Sequence, residues 1–148
     1  MELNKLNQLY REVVLDHAEH PRHQGKVNDA NCKMSMDNPT CGDELTVTVK
    51  VNDDQVIEEI AFEGTGCTIS QASASMMTAT VQGKTVDEAL ELAQIFSDAA
   101  IGKEVSKDQL KRLGDAQLLT SVMEFPARIK CATLAWWTLQ RALLKESD

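Results

Sequence analysis

Cys41 lies in the stretch NPTCGDE, between a proline turn and an acidic residue, where little could cover a thiol. A structural cysteine normally sits on a strand or helix face as a small hydrophobe. A thiol with Gly42 and Asp43 directly behind it points instead to chemistry. Cys67, after Gly64 and Gly66, and Cys131, after Pro126, also fall at the ends of predicted elements, so the three could converge on one rim of a sheet. Thiolates are soft donors that select zinc, copper(I) or iron–sulfur clusters, whereas a carboxylate is harder and forms the more exchangeable bond. Three cysteines and Asp43 would complete a tetrahedral zinc site with Zn–S bonds of about 2.3 Å. Their negative charges would repel one another without a cation. The chain has no CxxC pair, and spacing alone leaves a metal site and three unrelated thiols both open. Cys32 differs, because it falls on the apolar face of a predicted strand and reads as core.

Other residues invite sharper readings than they support. His17, His20 and His23 straddle a helix end and a proline, and histidines in a last turn complement the helix dipole. They are read that way rather than as a metal face. Gly64 and Gly66 are similar to a fragment of a phosphate loop, but no lysine follows and no nucleotide site is expected. Trp136, Trp137 and the set Met34, Met36, Met76 and Met77 read as packing. Arg128 is either a surface charge or a cation that orients Asp43 and a thiolate.

The elements that must position these residues are legible from periodicity. Leu3, Leu6, Tyr10, Val13 and Val14 recur at helical spacing, so a first helix should run to about Ala18 and stop at HPRHQG. From Asn31 the period becomes two: Cys32, Met34 and Met36, then Leu45, Val47, Val49 and Val51, alternate with polar residues. A third strand, VIEEIAFE, follows an NDDQ turn, which suggests an antiparallel meander with helices on one face. Thr68 to Val81 should form a tightly packed helix ending before Gly83. Thr85 with Glu88 and Ser106 with Gln109 have capping-box spacing and should open two more, the first burying Leu90, Ala93 and Phe96 or Ile95. A last helix after Pro126 is expected to carry Leu134, Trp137 and Leu144 inward. The class is α+β, a three-stranded antiparallel sheet packed with about five helices.

Composition bounds the function. A chain of 148 residues is most simply one domain, residues 1–148, able to bury about 68–70% of its unfolded surface. Its net charge of −8, from 15 basic and 23 acidic residues, argues against a nucleic-acid partner, which needs a basic footprint. No apolar run reaches membrane-spanning length, and the N-terminus lacks the apolar core of a signal peptide. A cytoplasmic location is therefore expected. There, cysteines serve as thiols, metal ligands or catalysts more often than as disulfides.

Three ordered motifs, NPTCGD, EGTGCTISQASASMM and FPARIKCATLAW, with HPRHQG before them, resemble the iron–sulfur cluster assembly scaffolds of the IscU and NifU N-terminal family. The resemblance covers nearly the whole chain. It implies sulfur received from a cysteine desulfurase, a pyridoxal-phosphate enzyme, and it places the family's ligands at Cys41, Asp43, Cys67 and Cys131. Those residues would bind zinc, or iron in a nascent [2Fe–2S] cluster.

Two departures select a branch. Lys130 stands where housekeeping scaffolds have histidine, and FPARIK replaces their chaperone-recognition LPPVK run. An extra segment, KEVSKDQLKRLGDAQLLTSVME, occupies about 103–124. These features are similar to the SufU branch, zinc-dependent sulfur-transfer proteins, which implies a SufS-type desulfurase and other Suf cluster-assembly proteins as partners. Protonated lysine has no lone pair for a metal, but Lys130 could help keep Cys131 a thiolate.

The leading expectation is therefore a zinc-dependent acceptor and carrier of persulfide sulfur. A scaffold for a [2Fe–2S] cluster and a structural zinc domain are the alternatives. Cys41 is the expected acceptor, because Gly42 gives its turn freedom to swing the thiol outward, with Cys131 as runner-up. The capped part of the extra segment should pack Leu110 and Leu113 against the body and shape a desulfurase docking surface.

Overall fold

The computed structural model describes residues 2–38, 42–124 and 126–146, with side chains at 11–38, 42–120 and 129–144. The chain opens with α1 (Glu2–Glu19) and continues into three strands, β1 (Cys32–Asn38), β2 (Asp43–Val51) and β3 (Ile57–Thr65). Then come α2 (Thr68–Val81), α3 (Val86–Ala100), α4 (Lys107–Arg112), a 3₁₀ segment (Gly114–Glu124) and α5 (Pro126–Glu146). The strands form one antiparallel sheet in the order β1-β2-β3. This is the α+β architecture expected from the change of period.

Alternation decides which face of the sheet is covered. Leu45, Val47 and Val49 of β2 are completely buried, while Glu44 is exposed and Lys50 half-buried. Met34 pairs with Val47 and Cys32 with Val49, which carries the apolar face onto β1. Cys32 is buried in this core, where its periodicity put it. Helix α5 packs on β1 and β2, α2 packs on β3 and α5, and α1 and α3 close the outer layer. The backbone of HPRHQG does more than end α1. It lies along the free edge of β3, with Gly25 N donating to Phe62 O at 2.7 Å and Phe62 N to His23 O at 3.0 Å. An edge strand that would otherwise present unpaired groups is thereby covered.

Both capping boxes form. Thr85 accepts from Glu88 N while Glu88 accepts from Thr85 N, and Ser106 and Gln109 do the same. Hydrogen bonds from the Thr85 backbone and hydroxyl hold the Glu88 carboxyl below its ordinary range. A carboxylate with a lowered folded-state pKa contributes stability above its unfolded value and loses it as pH falls through the folded one.

The last helix corrects one expectation. Trp136, not Trp137, is fully enclosed, stacked on Phe96 with ring centroids 4.6 Å apart. Trp137 is half-buried, with its indole N–H donating to Ser97 Oγ at 2.9 Å, and Leu144 is 53% exposed. The buried stripe runs through Ala132, Ala135, Trp136, Leu139 and Leu143, so the expected Trp137 and Leu144 were one step out of phase.

The extra segment is part of the core. Leu110 is half-buried and Leu113 fully buried, as expected, but Ala116 and Leu119 of the 3₁₀ segment are fully buried too. His17 fastens this region. The residue is 2% exposed, and its ring hydrogen-bonds Ser75 Oγ at 2.7 Å through Nδ1 and Asp115 Oδ2 at 3.0 Å through Nε2. His17 is a packing and tethering residue between α1, α2 and the 3₁₀ segment, not a ligand.

Candidate metal centre

Three element ends meet at one rim of the sheet. Asp43 is the first residue of β2, Cys67 immediately precedes α2, and Cys131 lies one turn and a half into α5. Cys67 is the N-cap of α2. Its backbone is extended (φ −73°, ψ 171°), and its sulfur accepts the Ser70 N–H at 3.4 Å. Serine, threonine and aspartate usually take that position. In a capping box the residue three positions on returns a carboxylate or amide to the N-cap N–H. Here that residue is Ser70, too short for the task, and the carboxylate comes from another element: Cys67 N donates to Asp43 Oδ1 at 3.0 Å. Asp43 thus closes the cap of α2 from β2, and that bond fixes the carboxylate beside the sulfur.

Gly66 makes the approach possible. A Cβ at this position would lie 2.8 Å from both Asp43 Oδ1 and Ser70 Oγ, closer than side chains tolerate. Gly42, next to Cys41, adopts φ +71°, a left-handed angle that favours glycine. Its N–H donates to Asn38 O at 2.9 Å. Cys41 itself lies outside the described residues, as does the side chain of Arg128.

Among the described residues, one group could hold a metal: donor atoms of Asp43, Cys67 and Cys131 all lie within 4.8 Å of one another. Asp43 is 1% exposed, Cys131 is completely buried and Cys67 is half-buried. Asp43 Oδ2 is enclosed and has no hydrogen-bond partner among the described residues. Leaving a buried acceptor unsatisfied costs about 1–3 kcal/mol, more when it is charged. A cation between these donors would remove that cost. In a tetrahedral site with bonds of about 2.3 Å, neighbouring sulfurs stand about 3.8 Å apart, so the observed cluster needs only a small contraction. Two thiols and one carboxylate match zinc better than a hard cation such as magnesium or calcium. The residues present fit zinc, with a fourth position left for another donor.

The sequence-based candidates separate cleanly. Asp43, Cys67 and Cys131 come together and Cys32 stays in the core. Lys130 is exposed although its neighbour Cys131 is completely buried. Periodicity and motif reading did not identify Gly66 and Ser70 as parts of the site. One signal was available: a cysteine at an N-cap with serine rather than glutamate three residues on needs a carboxylate from elsewhere. Gly66→Ala is expected to push the Asp43 carboxylate off the Cys67 N–H. Zinc affinity should fall about 10–100-fold, as for other residues that orient ligands. Chelator competition on the folded variant checks this, and unchanged affinity would contradict it.

Comparison with known proteins points the same way. The model of the NifU-like N-terminal domain matches residues 9–132. The chain is 49% identical, over 100% of its length and 91% of the relative's, to the iron–sulfur cluster assembly scaffold protein IscU of Streptococcus pyogenes serotype M1. It is 48% identical, over 95% of its length and 93% of the relative's, to the zinc-dependent sulfurtransferase SufU of Bacillus subtilis strain 168. Among solved structures it superposes with a TM-score of 0.82 on a candidate iron–sulfur cluster assembly scaffold protein for the SUF system from thermophilic Fervidobacterium islandicum AW-1. That match has 36% identity and covers 89% of this chain and 94% of the other.

Proposed function

The chain belongs to the NifU-like N-terminal domain family, and on that premise we propose that it is a zinc-dependent carrier of persulfide sulfur in iron–sulfur cluster biogenesis. The observation that carries the proposal is the convergence of Cys67, Cys131 and a buried carboxylate with an unpaired oxygen. Cys41 supplies the fourth ligand of the set and is also the sulfur acceptor. When bound, zinc would keep the thiols deprotonated at neutral pH.

The chain's own residues divide the labour. Asp43 holds the α2 N-terminus and lends its second oxygen to the site. Cys67 is pinned as the N-cap, and Cys131 has no exposed surface with which to meet a donor. That supports Cys41 over Cys131 as acceptor. The Cys41 thiolate attacks the outer sulfur of a persulfide on a cysteine desulfurase. The desulfurase sulfur–sulfur bond breaks, its cysteine leaves as a thiolate, and a new persulfide forms on Cys41. Exposed Lys130, the sequence neighbour of Cys131, adds positive charge for the incoming anion.

We place this exchange in the cytoplasm, with a SufS-type desulfurase as donor, other Suf proteins downstream, and the whole chain acting as one domain. No helix among the described residues is long and apolar enough to cross a membrane. Assembly of a [2Fe–2S] cluster on the same ligands is the second reading, favoured by the name of the streptococcal relative. Lys130 counts against it, since it removes a nitrogen donor at that position. Metal analysis of aerobically purified protein separates the two: about one zinc per chain and no visible charge-transfer absorption is expected, and a coloured iron protein would favour the scaffold.

The extra segment shapes the docking surface. Since Leu113, Ala116 and Leu119 belong to the core, excising the segment would expose apolar surface, and its role is better tested on its rim. Lys107 and Lys111 are exposed on α4. Replacing both with glutamate should weaken desulfurase binding about fivefold, about 1 kcal/mol, with unchanged thermal stability. Wild-type affinity in that variant would reject the docking role.

A further inference from the structure

We infer that the Ser70 hydroxyl is a positioning group that competes with the metal for the Asp43 carboxylate, and so sets how readily Asp43 lets the metal go. The inference rests on the zinc-site reading above and concerns a residue outside the proposed ligand set.

Ser70 is completely buried, and its Oγ has no hydrogen-bond partner among the described residues. That is unusual for a helical hydroxyl in this protein. Thr80, Thr133 and Thr138 each donate to the carbonyl four residues back, at 2.7 to 2.8 Å. Ser70 sits in the first turn of α2, where the residue four positions back, Gly66, precedes the helix. A buried hydroxyl left without an acceptor is costly, so the acceptors within reach matter.

One of them is also unsatisfied. Asp43 Oδ2 is enclosed and has no partner among the described residues. The two side chains face the same small space over Gly66. Asp43 Oδ1 and Ser70 Oγ are each 2.8 Å from the point where a Cβ on that glycine would stand. Oδ1 and Ser70 Oγ are thus no farther apart than twice that distance; Oδ2 shares its carbon with Oδ1, so rotation of the two side chains would be needed to bring the two unpaired oxygens together. One group can only accept and the other can donate.

Oδ1 is already engaged by Cys67 N. The remaining oxygen can therefore be claimed either by a metal shared with Cys67 and Cys131 or by the Ser70 hydroxyl. A hydrogen bond to a carboxylate is among the stronger ones available in a protein. It stabilises the arrangement in which Asp43 has left the metal and does nothing for the one in which Asp43 is bound. Ser70 thus makes the carboxylate an exchangeable ligand while the Cys67 N–H keeps it in place.

Zinc loss to an excess of chelator tests this without a desulfurase. Ser70→Ala should bind zinc more tightly and release it about 10- to 100-fold more slowly than wild type, the worth of one charge-assisted hydrogen bond. Ser70→Thr, which keeps the hydroxyl, should release zinc faster than Ser70→Ala. In an Asp43→Ala background the Ser70→Ala effect should vanish. Release from Ser70→Ala that is unchanged or faster, or an effect that persists without Asp43, would overturn the inference and leave the zinc site standing. A wild-type chain that takes up no zinc would overturn both.

Discussion

Replacing Cys67 by alanine is expected to strip zinc from the protein and lower its melting temperature by roughly 10 °C under zinc-replete conditions. A metal bound only by the folded state, present at about a thousandfold over Kd, stabilises by about 4 kcal/mol. For a domain of this size each kcal/mol shifts Tm by about 2–4 °C. The Cys67 sulfur belongs to the candidate donor group and also accepts the Ser70 N–H as the cap of α2. The variant therefore loses a cap as well, a further cost of about 1 kcal/mol that does not depend on zinc. Measuring Tm with and without chelator separates the two: the wild type should fall on chelation, and Cys67→Ala should barely move. Cys32→Ala is the control, since Cys32 lies in the core and away from the cluster. It should lose some packing stability and keep one zinc per chain. Full zinc occupancy in Cys67→Ala would remove Cys67 from the ligand set.

Much of this was legible in the chain because local chemistry and tertiary structure agree. Thr85 and Ser106 announced their helices through capping boxes, and both form. The two-residue period of Leu45, Val47 and Val49 fixed the buried face of β2, and with it the position of Asp43 at the head of the strand. Single-sequence periodicity failed where two faces of a helix are apolar. In α5, tryptophans at 136 and 137 both satisfy a helical stripe, and only packing against Phe96 chooses Trp136. The tethering contacts of His17 were not legible for another reason. Its partners, Ser75 and Asp115, lie 58 and 98 residues away, and no local pattern predicts such a contact. The 3₁₀ segment has no capping signature of its own, so its buried Ala116 and Leu119 emerged only from the fold.

The candidate site divides in the same way. Motif resemblance named four candidate ligands, and among the described residues the fold brings three of them to one place. The support around them was invisible to motif reading, because it depends on an absent side chain at Gly66 and on a carboxylate that caps a distant helix. Both are three-dimensional relations between residues that look ordinary in sequence.

Cys41→Ser is expected to abolish persulfide formation on this protein, a loss of at least about 100-fold in sulfur accepted per desulfurase turnover. A serine hydroxyl is a far weaker nucleophile than a thiolate, and thiolate attack is the step that moves the sulfur. Zinc need not be lost completely, because Asp43, Cys67 and Cys131 remain. Residual zinc with no acceptance would separate the carrier role of Cys41 from its role as ligand. The most direct measurement is mass-spectrometric mapping of the wild-type protein after incubation with a SufS-type desulfurase and cysteine, with thiols and persulfides trapped by alkylation. A single added sulfur on the peptide containing Cys41 is the predicted result. A persulfide on Cys131, with Cys41→Ser still accepting sulfur, would contradict the account and leave Cys41 a plain ligand.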